Sequence, residues 1–242
     1  MDESQITLLP DGFAFKSSYR FAWFGEPTTC SAFQNQVLKG RVSESTIKEL
    51  LTEIGAYSQG DHLLLHSGLH TDEYYQLAVA FQDSWFGLLT AYYLWAKVEG
   101  YFKADVDLFS FVATPAVGGI PLGDYLAVVA NLMSIYVEKS KDGSLVLRRE
   151  SGFGIPGSTG VVGDDVTTTG DSIVKTIEAV EKGAGHISCA LVVINRSGGE
   201  QISSIKPHLI SMVTTTSRVY EPGPKTCPGC RENALLIRPG SE

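Results

Sequence analysis

The second half of the sequence alternates between apolar segments of strand length and segments with helical periodicity. Strand–loop–helix–strand, repeated twice, indicates parallel strands joined by crossover connections, with ligands bound at the carboxyl ends of the strands. The sequence therefore predicts an α/β fold with a central, mostly parallel sheet flanked by helices. The predicted strands are 106–113, 133–137, 161–162 and 187–194, and the predicted helices are 120–132 and 171–182.

The first hundred residues are organised differently. Ser43 precedes apolar residues spaced by three and four, which predicts a capped amphipathic helix ending at Gly55. Short strands are predicted at 62–65 and 74–80, followed by an apolar helix at 84–98. The aromatic-rich first forty residues lack periodicity and are interpreted as an extension that packs on the domain or on a partner subunit, with a ligand lid as the alternative. The predicted units are an N-terminal extension (1–42), a main domain (43–215) and a C-terminal tail (216–242).

Composition and charge exclude several classes of protein. Apolar residues make up 43% of the chain and charged residues 19%, which is typical of a globular protein. A net charge of −8 argues against a nucleic-acid or anionic-membrane partner. The acidic N-terminus is unlike a secretory signal, and no apolar stretch approaches the ~20 residues of a membrane span. A cytoplasmic location is expected. A dinucleotide-binding Rossmann domain is disfavoured, because no G-x-G-x-x-G motif follows a predicted strand.

The segment 161–172, VVGDDVTTTGDS, combines an acidic pair with hydroxyl side chains and a glycine. Loop amides and hydroxyls at a helix N-terminus form an anion site, and Gly170 allows close approach of the backbone to a phosphate. Asp164 and Asp165 would repel that phosphate, so they are expected to face hydroxyl groups or a cation. A helix cap beside a solvated strand end is the simpler alternative, but it leaves most of these polar residues unexplained.

This segment resembles the phosphoribosyl diphosphate signature of type I phosphoribosyltransferases, although Gly163 replaces an apolar residue. The resemblance implies that Asp164 and Asp165 bind the ribose hydroxyls. It also implies that the following loop binds the 5-phosphate. The donor-binding residues expected on this basis are Asp164, Asp165, Val166, Thr167, Thr168, Thr169, Gly170, Asp171 and Ser172.

Further segments resemble the orotate enzymes of this family. Residues 60–75 are similar to a segment of their N-terminal hood, which implies that His66, Ser67 and Gly68 contribute to the base pocket. The sequence 195–197, NRS, resembles their DRS motif, which implies that Arg196 binds the orotate carboxylate through its donor fork. Residues 112–123 resemble a pyrophosphate-side loop, whose expected members are Thr114, Pro115, Ala116, Val117, Gly118 and Gly119.

Residues 136–153 resemble a loop that, in a longer subgroup of the orotate enzymes, reaches over the active site. The cations expected to contact pyrophosphate from this loop are Lys139, Lys141, Arg148 and Arg149, with Lys139 and Lys141 grouped with the acidic pair as catalytic residues. For Lys141 a solvated surface charge is the stronger alternative. His66, Ser140 and the Val117–Gly118 pair depart from the patterns of many orotate enzymes, so the sequence supports the phosphoribosyl donor better than the acceptor base.

The tail contains the pair Cys227 and Cys230 within CPGC, which resembles the CPxC tail of the same subgroup. A tetrahedral zinc site needs about four ligands, and no second Cys/His pair has the sequence spacing of a known motif. A tight turn is therefore expected, ahead of a partial metal site or a redox pair, and no metal ligand is assigned.

The resemblance as a whole implies an enzyme of pyrimidine biosynthesis, a homodimer that uses Mg²⁺. It would transfer ribose 5-phosphate from phosphoribosyl diphosphate to orotate. The fold implied is that of type I phosphoribosyltransferases, with a small N-terminal hood. Two alternatives stay open: transfer to another base, such as a purine or uracil, and a sensor that binds phosphoribosyl diphosphate without turnover.

Overall fold

A computed structural model describes residues 6–8, 14–16, 27–65, 68–141, 143–147, 155–216 and 218–238. Its main sheet has six strands in the order β10-β9-β8-β5-β6-β7. All neighbouring strands in this sheet are parallel except the β6–β7 pair. The predicted α/β fold with a mostly parallel central sheet is therefore confirmed. The strands are β5 (Phe109–Pro115), β6 (Met133–Lys139), β7 (Leu145–Val146), β8 (Thr159–Thr167), β9 (His186–Asn195) and β10 (His208–Thr214).

Helices cover both faces of this sheet: α4 (Ser84–Phe102) and α5 (Ile120–Ala130) lie on one face, and α6 (Asp171–Lys182) lies on the other. Alternate residues of each strand point to opposite faces, so Val161 packs in the cluster of α4 and α5, whereas Val162 packs with Ile173 of α6. The central strand β9 is apolar and buried at most positions because both of its faces are covered.

A second sheet of four strands, in the order β11-β4-β3-β12, forms the hood. Strands β3 (Tyr57–Leu64) and β4 (His70–Tyr75) form an antiparallel hairpin, and the tail adds β11 (Val219–Tyr220) and β12 (Leu236–Ile237) at its two edges. Helices α2 (Glu44–Glu53), α3 (Leu77–Ala80) and α7 (Pro228–Arg231) complete the described elements of this part of the chain. Ser43 caps α2 by accepting a hydrogen bond from the Thr46 amide, as its sequence predicts.

Three elements predicted in the first half differ in extent from the structure. The predicted strand 74–80 ends at Tyr75, and the apolar residues beyond it form α3, because a short apolar run fits a buried helix as well as a strand. The predicted strand 106–113 begins only at Phe109, because Lys103–Leu108 form a 3-10 helix. Strand β3 also begins five residues before the predicted 62–65 segment.

The N-terminal region contributes directly to the core. Strands β1 (Ile6–Leu8) and β2 (Ala14–Lys16) pair antiparallel, and helix α1 (Pro27–Leu38) packs on α2 and α4. Phe33 is fully buried and stacks on Phe86 of α4 with ring centroids 5.7 Å apart. The expected extension thus includes a helix that shares the core of the main domain. Among the helices in the described ranges, none is both long and apolar enough to cross a membrane.

Candidate functional site

The acidic pair lies near the carboxyl end of β8, in the middle of the sheet between β5 and β9. Asp164 is almost fully buried, and one of its oxygens accepts a hydrogen bond from the Asp165 amide at 3.0 Å. Asp165 in turn accepts one from the Val166 amide at 2.8 Å. The strand runs to Thr167, so the backbone at the pair is held by the sheet rather than by a loop.

Burial raises the pKa of both carboxyl groups. For Asp164 the neighbouring Asp165 carboxylate raises the pKa further, whereas hydrogen bonds from the Asp165 amide and the Ser172 hydroxyl lower it. Two carboxylates in a desolvated position favour protons, hydroxyl donors or a cation close to them. This environment agrees with the expectation that the pair faces sugar hydroxyls or a metal ion.

The turn after β8 leads directly into α6. Gly170 has a φ of +81°, and a Cβ atom there would lie 2.8 Å from the Ile205 side chain, so both conformation and packing require glycine. Ser172 and Asp171 lie in the first turn of α6, where unpaired amides favour an anion. Thr168 and Thr169 are exposed, whereas Thr167 is buried.

The loop 114–119, at the end of the neighbouring strand β5, lies beside the acidic pair. A Cβ atom on Gly118 would lie 3.3 Å from the Asp165 carboxylate oxygens, so this loop passes very close to the carboxylate. Thr114 is buried at the end of β5, and its hydroxyl has no hydrogen-bond partner within the described part of the chain. The peptide bond between Ala116 and Val117 is cis, and the Val117 side chain is 80% exposed.

These segments enclose a cavity of about 320 Å³. It brings together the pyrophosphate-side loop, Lys139 from β6, the acidic pair and the start of α6. Lys141 is exposed and does not line this cavity. The lining consists of Pro115, Ala116, Gly118, Gly119, Lys139, Gly143, Leu145, Asp164, Asp165, Val166, Asp171, Ser172 and Lys175.

Some expected site residues are not in this cavity. Thr167, Thr168, Thr169 and Gly170 form the turn beside it rather than its wall. Gly68 lies in the turn of the hood hairpin, where its amide donates to the Leu65 carbonyl at 2.9 Å. His66, Ser67, Arg148 and Arg149 lie outside the described residues.

Arg196 lies apart from the cavity, in a buried polar network below the hood. Its guanidinium is 3.2 Å from the Glu73 carboxylate and 5.4 Å from the centre of the Tyr75 ring. Lys48 and the Tyr57 hydroxyl also contact Glu73, at 3.6 Å and 3.2 Å. The Nε atom of Arg196 is buried and has no hydrogen-bond partner among the described residues. The ion pair with Glu73 therefore uses only some of the N–H donors of the Arg196 guanidinium.

Sequence reasoning missed two residues of these sites. Lys175 lines the cavity and pairs with Asp171 at 2.6 Å, and its position one turn into the helix behind the phosphate loop was the available signal. Glu73 is 1% exposed and pairs with Arg196, from which it is separated by 123 residues. No local pattern marks such a distant partner.

No second Cys/His pair has the sequence spacing of a known zinc motif, but the structure places two histidines beside CPGC. His62 of β3 and His70 of β4 lie beside Cys227 and Cys230, and the potential ligand atoms of these four residues all lie within 4.8 Å of one another. We call this group the Cys/His cluster. The two histidines are eight residues apart, outside the usual spacing of zinc motifs, and only the pairing of β3 with β4 brings them together.

Comparison with known proteins places the chain. No protein-family model matches it. It is 31% identical over 201 residues to an orotate phosphoribosyltransferase of Pelotomaculum thermopropionicum, covering 83% of this chain and 98% of that protein. It is 32% identical over 196 residues to one of Thermotoga petrophila, covering 81% and 97%.

Solved structures agree with this placement. The orotate phosphoribosyltransferase of Aeropyrum pernix aligns with a TM-score of 0.55 at 26% identity, over 69% of this chain and 93% of that one. A phosphoribosyltransferase of Corynebacterium diphtheriae aligns with a TM-score of 0.54 at 19% identity, over 70% and 94%, which shows the shared fold. Because the chain is more than 30% identical to these relatives over nearly their whole length, it belongs to the orotate phosphoribosyltransferase family.

Proposed function

We propose that this protein transfers ribose 5-phosphate from phosphoribosyl diphosphate to orotate, releasing orotidine 5′-phosphate and pyrophosphate. The observation that carries the proposal is the shared cavity. The acidic pair, the pyrophosphate-side loop and the start of α6 meet around it, in a chain whose relatives are named orotate phosphoribosyltransferases.

Phosphoribosyl diphosphate is expected to lie along this cavity with its 5-phosphate toward residues 167–172 and its pyrophosphate toward the loop 114–119. Its 5-phosphate would accept hydrogen bonds from the amides and hydroxyls of 167–172, at the positive end of the α6 dipole. Its ribose hydroxyls would donate to Asp164 and Asp165, whose charges are otherwise poorly solvated. Lys175 lines the same wall and adds positive charge near the phosphate.

The leaving pyrophosphate would lie against the loop 114–119. Gly118 and Gly119 leave the backbone accessible there, and Lys139 contributes a cation from β6. Lys141, Arg148 and Arg149 are proposed to add further positive charge from the loop 136–153. The oxygen donors of Asp164 and Asp165 suit Mg²⁺, which when bound would supply charge neutralisation to the pyrophosphate while keeping several waters.

Catalysis in such a site depends on positioning and electrostatics. The bond between the anomeric carbon and pyrophosphate breaks as the base nitrogen approaches, so positive charge develops on the ribose ring. No covalent nucleophile is needed. Closure of the loop 136–153 over the cavity is proposed to exclude water, which would otherwise hydrolyse the donor.

Arg196 is the residue on which the choice of base depends. The guanidinium has five N–H donors, and the Glu73 pair leaves others for a second carboxylate, including the buried Nε–H. Orotate carries a carboxylate, whereas uracil and the purine bases do not. This spare capacity favours orotate, with His66, Ser67 and Gly68 proposed to contact the ring from the hood.

A panel of bases tests the proposal. Purified protein with phosphoribosyl diphosphate and Mg²⁺ is given orotate, uracil, adenine or hypoxanthine, and release of pyrophosphate is measured. Consumption of orotate is the expected result. Consumption of another base alone would make the substrate assignment wrong. If calorimetry shows binding of phosphoribosyl diphosphate but no base is consumed, the alternative of a sensor without turnover is favoured.

We also propose that the protein acts as a cytoplasmic homodimer without a nucleic-acid or membrane partner. The support is the family resemblance of the loop 136–153, which reaches across a dimer interface in related enzymes, together with the net charge of −8. Light scattering coupled to gel filtration measures the mass, and a single-chain mass of 26.1 kDa would contradict the dimer.

A further inference from the structure

The Cys/His cluster joins the tail to the hood hairpin. Cys227 caps α7 and Cys230 lies within it, whereas His62 and His70 face each other across the β3–β4 pair. Three of the four residues are buried. None of its members lines the cavity of the acidic pair, and none has a role in the proposed phosphoribosyl transfer.

The distances between the side chains resemble those in a tetrahedral metal site. A zinc ion with bonds of about 2.3 Å to sulfur and about 2.0 Å to nitrogen separates a sulfur from a nitrogen by about 3.5 Å. Here Cys227 Sγ lies 3.4 Å from His62 Nε2, and Cys230 Sγ lies 3.6 Å from the same atom and 3.3 Å from His70 Nδ1. The two ring nitrogens are 2.8 Å apart, so zinc would widen that one pair by about 0.5 Å.

The surroundings orient these atoms toward a common point. His62 Nδ1 lies 3.0 Å from the Ala234 carbonyl, to which it can donate, and this leaves the lone pair of Nε2 directed into the cluster. The Gly223 amide donates to Cys230 Sγ at 3.4 Å, which helps to fix the position of the sulfur. A Cβ atom on Gly229 would lie 2.4 Å from the His62 ring, so the glycine of CPGC is required for the ring to occupy this position.

Backbone pairing of β11 and β12 holds the tail to the hood, whereas the segment around α7 adds little apolar burial. Cys227 is 1% exposed, but α7 contains no buried residue, and the β12 residues Leu236 and Ile237 are 40% and 43% exposed. Apolar burial therefore contributes little to docking of the segment 227–237, and four polar or thiol groups lie at its contact with the hairpin. Metal ligation stabilises small segments of this kind, because the binding free energy becomes folding free energy.

We propose that His62, His70, Cys227 and Cys230 bind one zinc ion, which fastens the C-terminal tail to the hood. Four protein ligands fill a tetrahedral shell and leave no position for water or substrate, so the ion has a structural role. Two thiolates and two imidazoles select zinc over Mg²⁺ or Ca²⁺, which prefer oxygen ligands. The ion would therefore be distinct from the magnesium proposed at the acidic pair.

Metal analysis of the full chain tests this site. The protein is purified under reducing conditions, reconstituted with ZnSO₄ and dialysed. Its zinc content per chain is then measured by elemental mass spectrometry. About one zinc per chain is expected for the unmodified protein. Cys230→Ser and His70→Gln should lose it, whereas Cys189→Ala, which changes a buried cysteine of β9, and His186→Gln, which changes an exposed histidine, should retain it.

Two further measurements use the unmodified chain, so they stand even if a variant misfolds. Reconstitution with Co²⁺ should give the visible absorption of a tetrahedral thiolate site. Chelation should speed tryptic cleavage after Lys225 or Arg231 by about tenfold, since the tail loses its anchor. Absence of zinc and of the cobalt spectrum, equal zinc in Cys230→Ser, or a Cys227–Cys230 disulfide persisting under reductant would overturn the proposal.

Discussion

The cavity at the acidic pair and the Cys/His cluster both bring polar or thiol side chains together, but the chain assembles them in opposite ways. The acidic pair, the turn and the start of α6 lie within twelve consecutive residues of the motif 161–172. In the cluster, His62 and Cys227 are 165 positions apart. A contiguous motif is visible in sequence whatever the fold, whereas a dispersed cluster becomes visible only once the strand pairing is known.

The largest effect is expected from the contiguous site. Asp164→Asn combined with Asp165→Asn removes both proposed acceptors of the ribose hydroxyls, which should weaken binding of phosphoribosyl diphosphate about 100-fold or more. Calorimetry with Mg²⁺ measures the affinity. Asp124→Asn, which changes an exposed carboxylate of α5, is the matched control and should bind normally. Unchanged affinity in the double variant would remove the central assignment.

Arg196 joins the main sheet to the hood, since it follows β9 and pairs with Glu73 of β4. Arg196→Met should lower kcat/KM for orotate about 100-fold through loss of the carboxylate contact, while binding of phosphoribosyl diphosphate changes little. Arg218→Met, which changes an exposed arginine paired with Asp72, is the control. If the ratio of kcat/KM for orotate to kcat/KM for uracil is the same in this variant as in the unmodified protein, Arg196 does not bind the orotate carboxylate.

The dispersed cluster should respond to a change that replaces none of the four ligands. Gly229→Ala places a methyl group against the His62 ring and should lower zinc affinity about 10- to 100-fold, as other changes around a metal ligand do. Competition with a chromophoric chelator measures this affinity. Gly100→Ala, where a Cβ meets no atom within 4 Å, should leave it unaltered. Equal zinc affinities of Gly229→Ala and the unmodified protein would mean that the His62 ring has room to shift.

The smallest effect concerns stability. Burial raises the pKa of Asp164 above its ordinary 3.8, so the folded protein holds this proton more tightly than the unfolded chain. Its contribution to stability therefore falls as pH rises from about 3.8 through the raised pKa. Asp164→Asn removes this loss and should stabilise the ligand-free protein at pH 7 by about 1 kcal/mol, ~2–4 °C in Tm. Calorimetric scans at pH 4 and pH 7 should show the gain only at the higher pH.

Periodicity predicted most of the main sheet and its helices. The α6 prediction matches at both ends, because its apolar face and its flanking glycines are all local signals. The strand predicted at 74–80 failed because Leu77, Val79 and Ala80 fit a buried helical turn equally well. Glu73, which sequence reasoning missed, owes its role to Arg196, which lies 123 positions away.

The order of the hood strands has a consequence for biosynthesis. The last strand of the main sheet ends at Thr214, whereas the hood also needs β11 and β12, which end at Ile237. At about 5–20 residues per second, the β3–β4 hairpin leaves the ribosome some ten to thirty seconds before β12 exists to cover its edge. During that interval the emerging chain carries an uncovered strand edge, which is covered only after β12 has been translated.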